Sequence, residues 1–97
     1  MKGSYVGKAE GRKLLRLTLE WNGGVVMRAD IRGDFFAHPE EGFDEAESAL
    51  IGAPVADLGR TFASELASRG VVLFGLTPDD VGEAAAAIVA RIEAEER

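Results

Sequence analysis

Residues 14–21 read LLRLTLEW, with Leu15, Leu17, Leu19 and Trp21 on one side and Arg16, Thr18 and Glu20 on the other. Successive side chains of an extended chain point to opposite faces, so strict alternation of this kind predicts a half-buried strand. Residues 25–33, VVMRADIRG, alternate again. A period of two turns Val25, Met27, Ala29 and Ile31 inward and Arg28, Asp30 and Arg32 outward. Between the two runs lies Asn22-Gly23, a pair that tolerates the positive φ of a tight hairpin turn. Residues 3–9, GSYVGKA, are the candidate for a preceding strand. Together the three predict an antiparallel meander with one oily face and one basic face.

The pattern changes at Gly33. An isolated glycine closing a strand pattern marks a bulge or bend. Phe35 and Phe36 follow it side by side. Neighbours in an extended chain face opposite ways, so one ring is expected under the next helix near Phe43 and the other on or near the surface. Pro39 suits the first position of that helix, and Glu40, Glu41 and Asp44 complement the amide dipoles of its opening turns. Phe43, Ala46 and Leu50 recur at helical spacing as its buried stripe, and Gly52 and Pro54 end it. A second helix is predicted over about 55–69, with Leu58, Phe62 and Leu66 inward and Gly70 as its cap. Residues 71–75, VVLFG, read as a short extended piece. Thr77, Pro78, Asp79 and Asp80 form a full start signal for a third helix, whose apolar stripe is Val81, Ala85, Ile88 and Ile92. The alanine run 84–87 lies within it and reads as close packing. The fold class is therefore α+β: a three-stranded antiparallel meander followed by three helices packed on one face, in one domain over 1–97.

Composition narrows the function classes. A chain of 97 residues, 46% hydrophobic and 29% charged, has room for one core. It contains no apolar run of bilayer-spanning length, and the basic first residues, MKGSYVGKAEGRK, lack the apolar centre of a signal peptide. Cysteine is absent, which excludes disulfides, thiolate metal sites and cysteine-borne sulfur chemistry, and favours a cytoplasmic location. The net charge of −6 is unevenly spread: residues 1–32 carry +4 and residues 33–97 carry −10. Such a split predicts a basic and an acidic side. No aromatics are interleaved with the basic residues, so nucleic acid is a poor partner.

Catalytic chemistry finds little to stand on. His38 is the single histidine, placed before Pro39 as a loop or cap residue with no second ligand type near it. Ser4, Ser48, Ser64 and Ser68 have no evident base. Glu40, Glu41, Asp44, Glu45 and Glu47 read as the solvated face of an amphipathic helix. Neither GRK nor NGG has the length and following helix of a phosphate loop. No catalytic residue and no metal ligand is assigned.

The stretch RADIRGDFFAHPEEGFDEAESALIG, residues 28–52, resembles a motif of the accessory domain of lipoate-protein ligases. That domain is C-terminal in one branch of the family and a separate small chain in another. Upstream, the family pattern K-x-P-G-G-K-L is matched by Lys8-Ala9-Glu10-Gly11-Arg12-Lys13-Leu14, departing from it at Glu10 and Arg12. Residues 75–80, GLTPDD, match before the last helix, so the similarity covers nearly the whole chain.

The resemblance implies a SufE/NifU-like α+β fold, in line with the element order above. Other members of that fold handle iron-sulfur clusters or sulfur, which the absence of cysteine excludes here. It also implies a non-catalytic accessory subunit of a bipartite ligase. Such a chain docks on a catalytic subunit and supports ATP-dependent activation of lipoate to lipoyl-AMP and its transfer to protein. By that resemblance the chain binds no cofactor alone; lipoate and ATP come through the catalytic partner, and lipoyl-acceptor domains are indirect partners. The positions expected to face partner or ligand are Lys8, Gly11 and Lys13 of the loop, together with Asp34, Phe35 and Phe36. The loop lysines and the exposed side of the sheet are expected to dock, with the acidic helices toward solvent. Two other readings stay open: an interaction module of the same fold with no role in lipoylation, and a small stand-alone enzyme, against which the missing constellations count.

Overall fold

The structure, a computed structural model, describes residues 1–8 and 14–96. Strands β1 (Lys2–Gly7), β2 (Leu15–Asn22) and β3 (Val25–Gly33) form an antiparallel sheet in chain order. Leu15, Leu17, Leu19 and Trp21 of β2 are all buried, as alternation requires. The β2–β3 turn sits one residue later than the Asn22-Gly23 pair suggests. Gly23 and Gly24 take the two positive φ values, 56° and 76°, while Asn22 ends β2 and pairs with Val25. Two positive φ angles define the turn type whose twist matches a hairpin.

Strand β3 departs from simple alternation. Trp21 pairs with Val26 and Glu20 with Arg28, so Met27 is an extra residue on one strand, a β-bulge. The bulge reverses the parity of the strand before it. Val26 is buried, whereas Val25 and Met27 are exposed; Ala29 and Ile31, beyond the bulge, are buried as expected. The outward face is also mixed in sign rather than basic. Arg28 lies 2.8 Å from Asp30 and 3.7 Å from Glu20.

At Gly33, φ is 151°, and the next residue turns away, with the Asp34 N–H donating to the Leu14 carbonyl at 3.1 Å. A side chain at Gly33 would overlap that same carbonyl oxygen, so the crossing requires glycine. The chain then forms a strand that the sequence pattern does not announce, β4 (Phe36–His38), which pairs antiparallel with β5 (Val72–Phe74) as a separate two-stranded sheet.

The helices are α1 (Glu40–Ser48), α2 (Leu58–Ser68), preceded by a 3-10 turn at Val55–Asp57, and α3 (Pro78–Glu95). Pro39 is the N-cap of α1 in an extended conformation rather than its first helical residue. Gly70 closes α2: the Gly70 N–H donates to Ala67 and the Val71 N–H to Leu66, the paired bonds of a Schellman end. Thr77 caps α3 through a reciprocal capping box with Asp80. Helix α3 lies over β1 and β2, α1 over β3, and α2 packs against both helices. Phe43, Ala46, Leu50, Leu58, Phe62, Leu66, Val81, Ala84, Ala85 and Ile88 meet the buried face of the sheet in one core. Of the alanine run, Ala84 and Ala85 are buried and Ala86 and Ala87 exposed.

Candidate functional site

The end of the sheet where β1 and β3 both pair with Leu15 gathers several of the sequence candidates. Gly7 and Gly33 lie on either side of Leu15, so Lys8 and Asp34 leave the sheet from the same end, and both are exposed. Gly11 and Lys13 lie outside the described residues. Phe35 and Phe36 separate as adjacent residues of an extended chain must. Phe35 is half-buried, with its ring centroid 5.5 Å from that of Phe43. Phe43 in turn meets Phe62 at 5.8 Å, edge to face. Phe35 therefore anchors the segment to the core. Phe36 points the other way and is 77% exposed.

Phe36 does not stand alone. It pairs across the small sheet with Phe74, and His38 pairs with Val72. Phe74 is 58% and Val72 53% exposed. The intervening pair, Ala37 and Leu73, faces inward and packs on the core. The inner pair fixes the sheet; the outer pairs put Phe36, Phe74 and Val72 on the surface as an apolar face, with His38 beside them. Beside it runs an open groove of about 430 Å³, bordered by Phe36, His38, Pro39, Glu40, Glu41 and Phe74. Sequence reasoning reached Phe36 but missed Phe74, Val72, Glu40 and Glu41 as its neighbours. The equal parity of Val72 and Phe74 was the available signal, though three residues are too few to establish a period.

The electrostatics of the end are local. Among the described residues Lys8 makes no ion pair, and neither do Glu40 and Glu41. Glu47, further along α1, accepts from the Ile31 N–H at 2.7 Å and lies 3.4 Å from Arg32. Burial pushes its carboxyl above the ordinary value of 4.5, against the lowering effects of the Ile31 bond and Arg32. Glu47 thereby ties α1 to the free edge of β3, a structural role distinct from the exposed acids around it.

His38 is exposed, and no serine hydroxyl is hydrogen-bonded to it. No group of three or more His, Asp or Glu side chains among the described residues is placed to hold a metal ion. No helix among them is long and apolar enough to cross a membrane. What the arrangement can do is present an aromatic face, an open strand edge and charges of both signs to another molecule.

No family model matches the chain. It is 30% identical over 67 residues to lipoate-protein ligase A subunit 2 of Thermoplasma acidophilum, a match covering 69% of this chain and 70% of that protein. The fold is similar to a chain in the solved structure of an archaeal lipoylation system of Thermoplasma acidophilum, a bi-partite lipoate protein ligase and its E2 lipoyl domain. That superposition has a TM-score of 0.73 at 29% identity and covers 88% of this chain and 94% of the other.

Proposed function

The chain belongs to the family of lipoate-protein ligase accessory subunits, and from that premise we propose how it serves such a ligase. It docks, without catalytic groups of its own, on a separate catalytic subunit through the end that carries Lys8, Asp34 and Phe36. The catalytic subunit binds lipoate and ATP, and the small subunit supports formation of lipoyl-AMP there by favouring the conformation competent for adenylation. A partner that binds one conformer better than another shifts the balance by that difference in affinity, so no reacting group need come from the small subunit. A lipoyl-acceptor domain of the E2 type is met through the assembled complex.

The observation that carries this reading is the aromatic face of Phe36 and Phe74, with Phe36 77% exposed. Contiguous apolar side chains on a small domain mark an interaction site. Phe35, locked against Phe43, holds Phe36 outward, so the exposure is built into the packing. Lys8 lies at the same end, placing its ammonium where an anionic surface or phosphate can be reached.

The test is reconstitution with the catalytic subunit encoded in the same genome. The isolated chain should form no lipoyl-AMP from lipoate and ATP. Its addition to the catalytic subunit should raise the rate of adenylate formation, saturating at one-to-one stoichiometry. Full-rate adenylation by the catalytic subunit alone, unchanged on addition, would exclude the accessory role and leave the interaction module without lipoylation.

A further inference from the structure

We propose that the open edge of β4 receives an extended segment of the catalytic subunit, one that sets an apolar side chain on the Phe36–Phe74 face and a Lys or Arg against Glu40 and Glu41. The proposal rests on the accessory-subunit reading and adds the mode and chemistry of contact.

The backbone argument comes first. Among the described residues β4 and β5 have only each other as hydrogen-bonded strand neighbours, so each keeps an edge unpaired by them. A two-stranded sheet is marginal in water unless something packs on it, and here the packing is on the inner side only, through Ala37 and Leu73. An unpaired edge is a template for another strand, and proteins usually blunt it with charges or bulges. FAH and VLF carry no Lys, Glu or Asp and no bulge. Pro39, without an N–H, follows directly and limits the pairing to a short segment.

Side chains then define the occupant. The outer face offers two aromatic rings, suited to an aliphatic or aromatic side chain. Glu40 and Glu41, both exposed and both unpaired within the described residues, border the groove beside it. A cation there gains from the carboxylates and from the face of an aromatic ring. A second copy of this chain is the poorer fit, because its own segment around β4, residues 34–41, DFFAHPEE, brings no Lys or Arg to set against Glu40 and Glu41.

The experiment uses the full chain and the catalytic subunit. Amide exchange of residues 36–38 should slow at least tenfold on complex formation. Phe36→Ala, an exposed position in the free chain, should weaken binding on the order of tenfold, as loss of a central aromatic contact does. The double change Glu40→Lys and Glu41→Lys should weaken it too, more at low salt than at high salt. Complex formation with amides 36–38 exchanging as in the free chain, or with both sets of variants binding at wild-type affinity, would overturn the proposal while leaving the accessory role standing. Failure of the wild-type chain to bind the catalytic subunit at all would remove the accessory reading, and this inference with it. Self-association of the free chain, abolished by Phe36→Ala, would assign the face to a second copy instead.

Discussion

Glu47 is held in two incompatible ways. Its carboxylate accepts the Ile31 N–H at 2.7 Å and faces Arg32, which favours the ionised form. Its side chain is only 12% exposed, which disfavours it, and burial is the larger effect: the pKa is raised from 4.5. A carboxyl whose folded pKa lies above its unfolded value binds its proton more tightly in the folded state. Its contribution is then fully present below the unfolded value and is lost as pH rises through the raised folded value. Ionised Glu47 is thus a cost at neutral pH. Arg32 offsets little of it, because its own side chain is 64% exposed and such pairs are weak. Glu47→Gln keeps an oxygen for the Ile31 N–H and removes the charge. It should raise the urea midpoint at pH 7, and the gain over wild type should shrink as pH falls into the ordinary carboxylate range. A lower midpoint for the variant at pH 7 would show that the ion pair outweighs the burial. Nothing in the run of acids on α1 marks Glu47 as the buried member; its position is set by the distance of α1 from the edge of β3, which sequence does not contain.

Among the elements, those with a long period are the ones that sequence resolves. Strand β2 and the three helices repeat their apolar positions often enough that one face is forced inward, and their buried residues match the pattern. Strand β3 fails halfway because one extra residue at Met27 shifts everything before it, and a bulge leaves no mark in a period-two count. Strand β4 fails because its existence depends on β5, more than thirty residues away. The same reason hid most of the candidate site: Phe36 stands out as the second of two phenylalanines, but Phe74 and Val72 join it only through that pairing. The bulge makes a sharp reversal of the alternation testable. Met27→Lys places a charge at a position 57% exposed, and should change stability by no more than about 0.5 kcal/mol. Val26→Ala empties a fully buried position, and should cost on the order of 2 kcal/mol. Chemical denaturation of the two variants decides between the registers, since an unbroken alternation requires the opposite order.

Over the whole molecule, the charge split in the sequence is a split between layers. Residues 1–32, at +4, supply nearly all of the three-stranded sheet, and the acidic remainder supplies the helices and the small sheet. Two of the seven basic residues in that stretch are paired within the fold, Arg28 with Glu20 and Asp30 and Arg32 with Glu47. At the end near Leu15 the balance differs. Arg16 lies directly opposite Arg32, and Lys8 leaves β1 beside them with no ion pair among the described residues. The same end carries Glu40 and Glu41 on its α1 side. One end thus presents cations along the sheet and anions along the helix, with the aromatic face as a third feature. A partner must match both signs in the right order, which fixes orientation more than it adds affinity. Rim charges of this kind act on the rate of encounter and are screened by salt. Lys8→Ala should therefore slow association with the catalytic subunit on the order of two- to fivefold at low ionic strength, the scale of one exposed ion pair, with the difference fading at high salt. The fold should be unchanged, because Lys8 is exposed. Glu83→Ala, a charge removed from the exposed face of α3 beside α2, should leave the rate as it is. Stopped-flow association across a salt series separates the cases. A salt-sensitive loss for the Glu83 variant and none for Lys8 would put the docking surface on the helical layer.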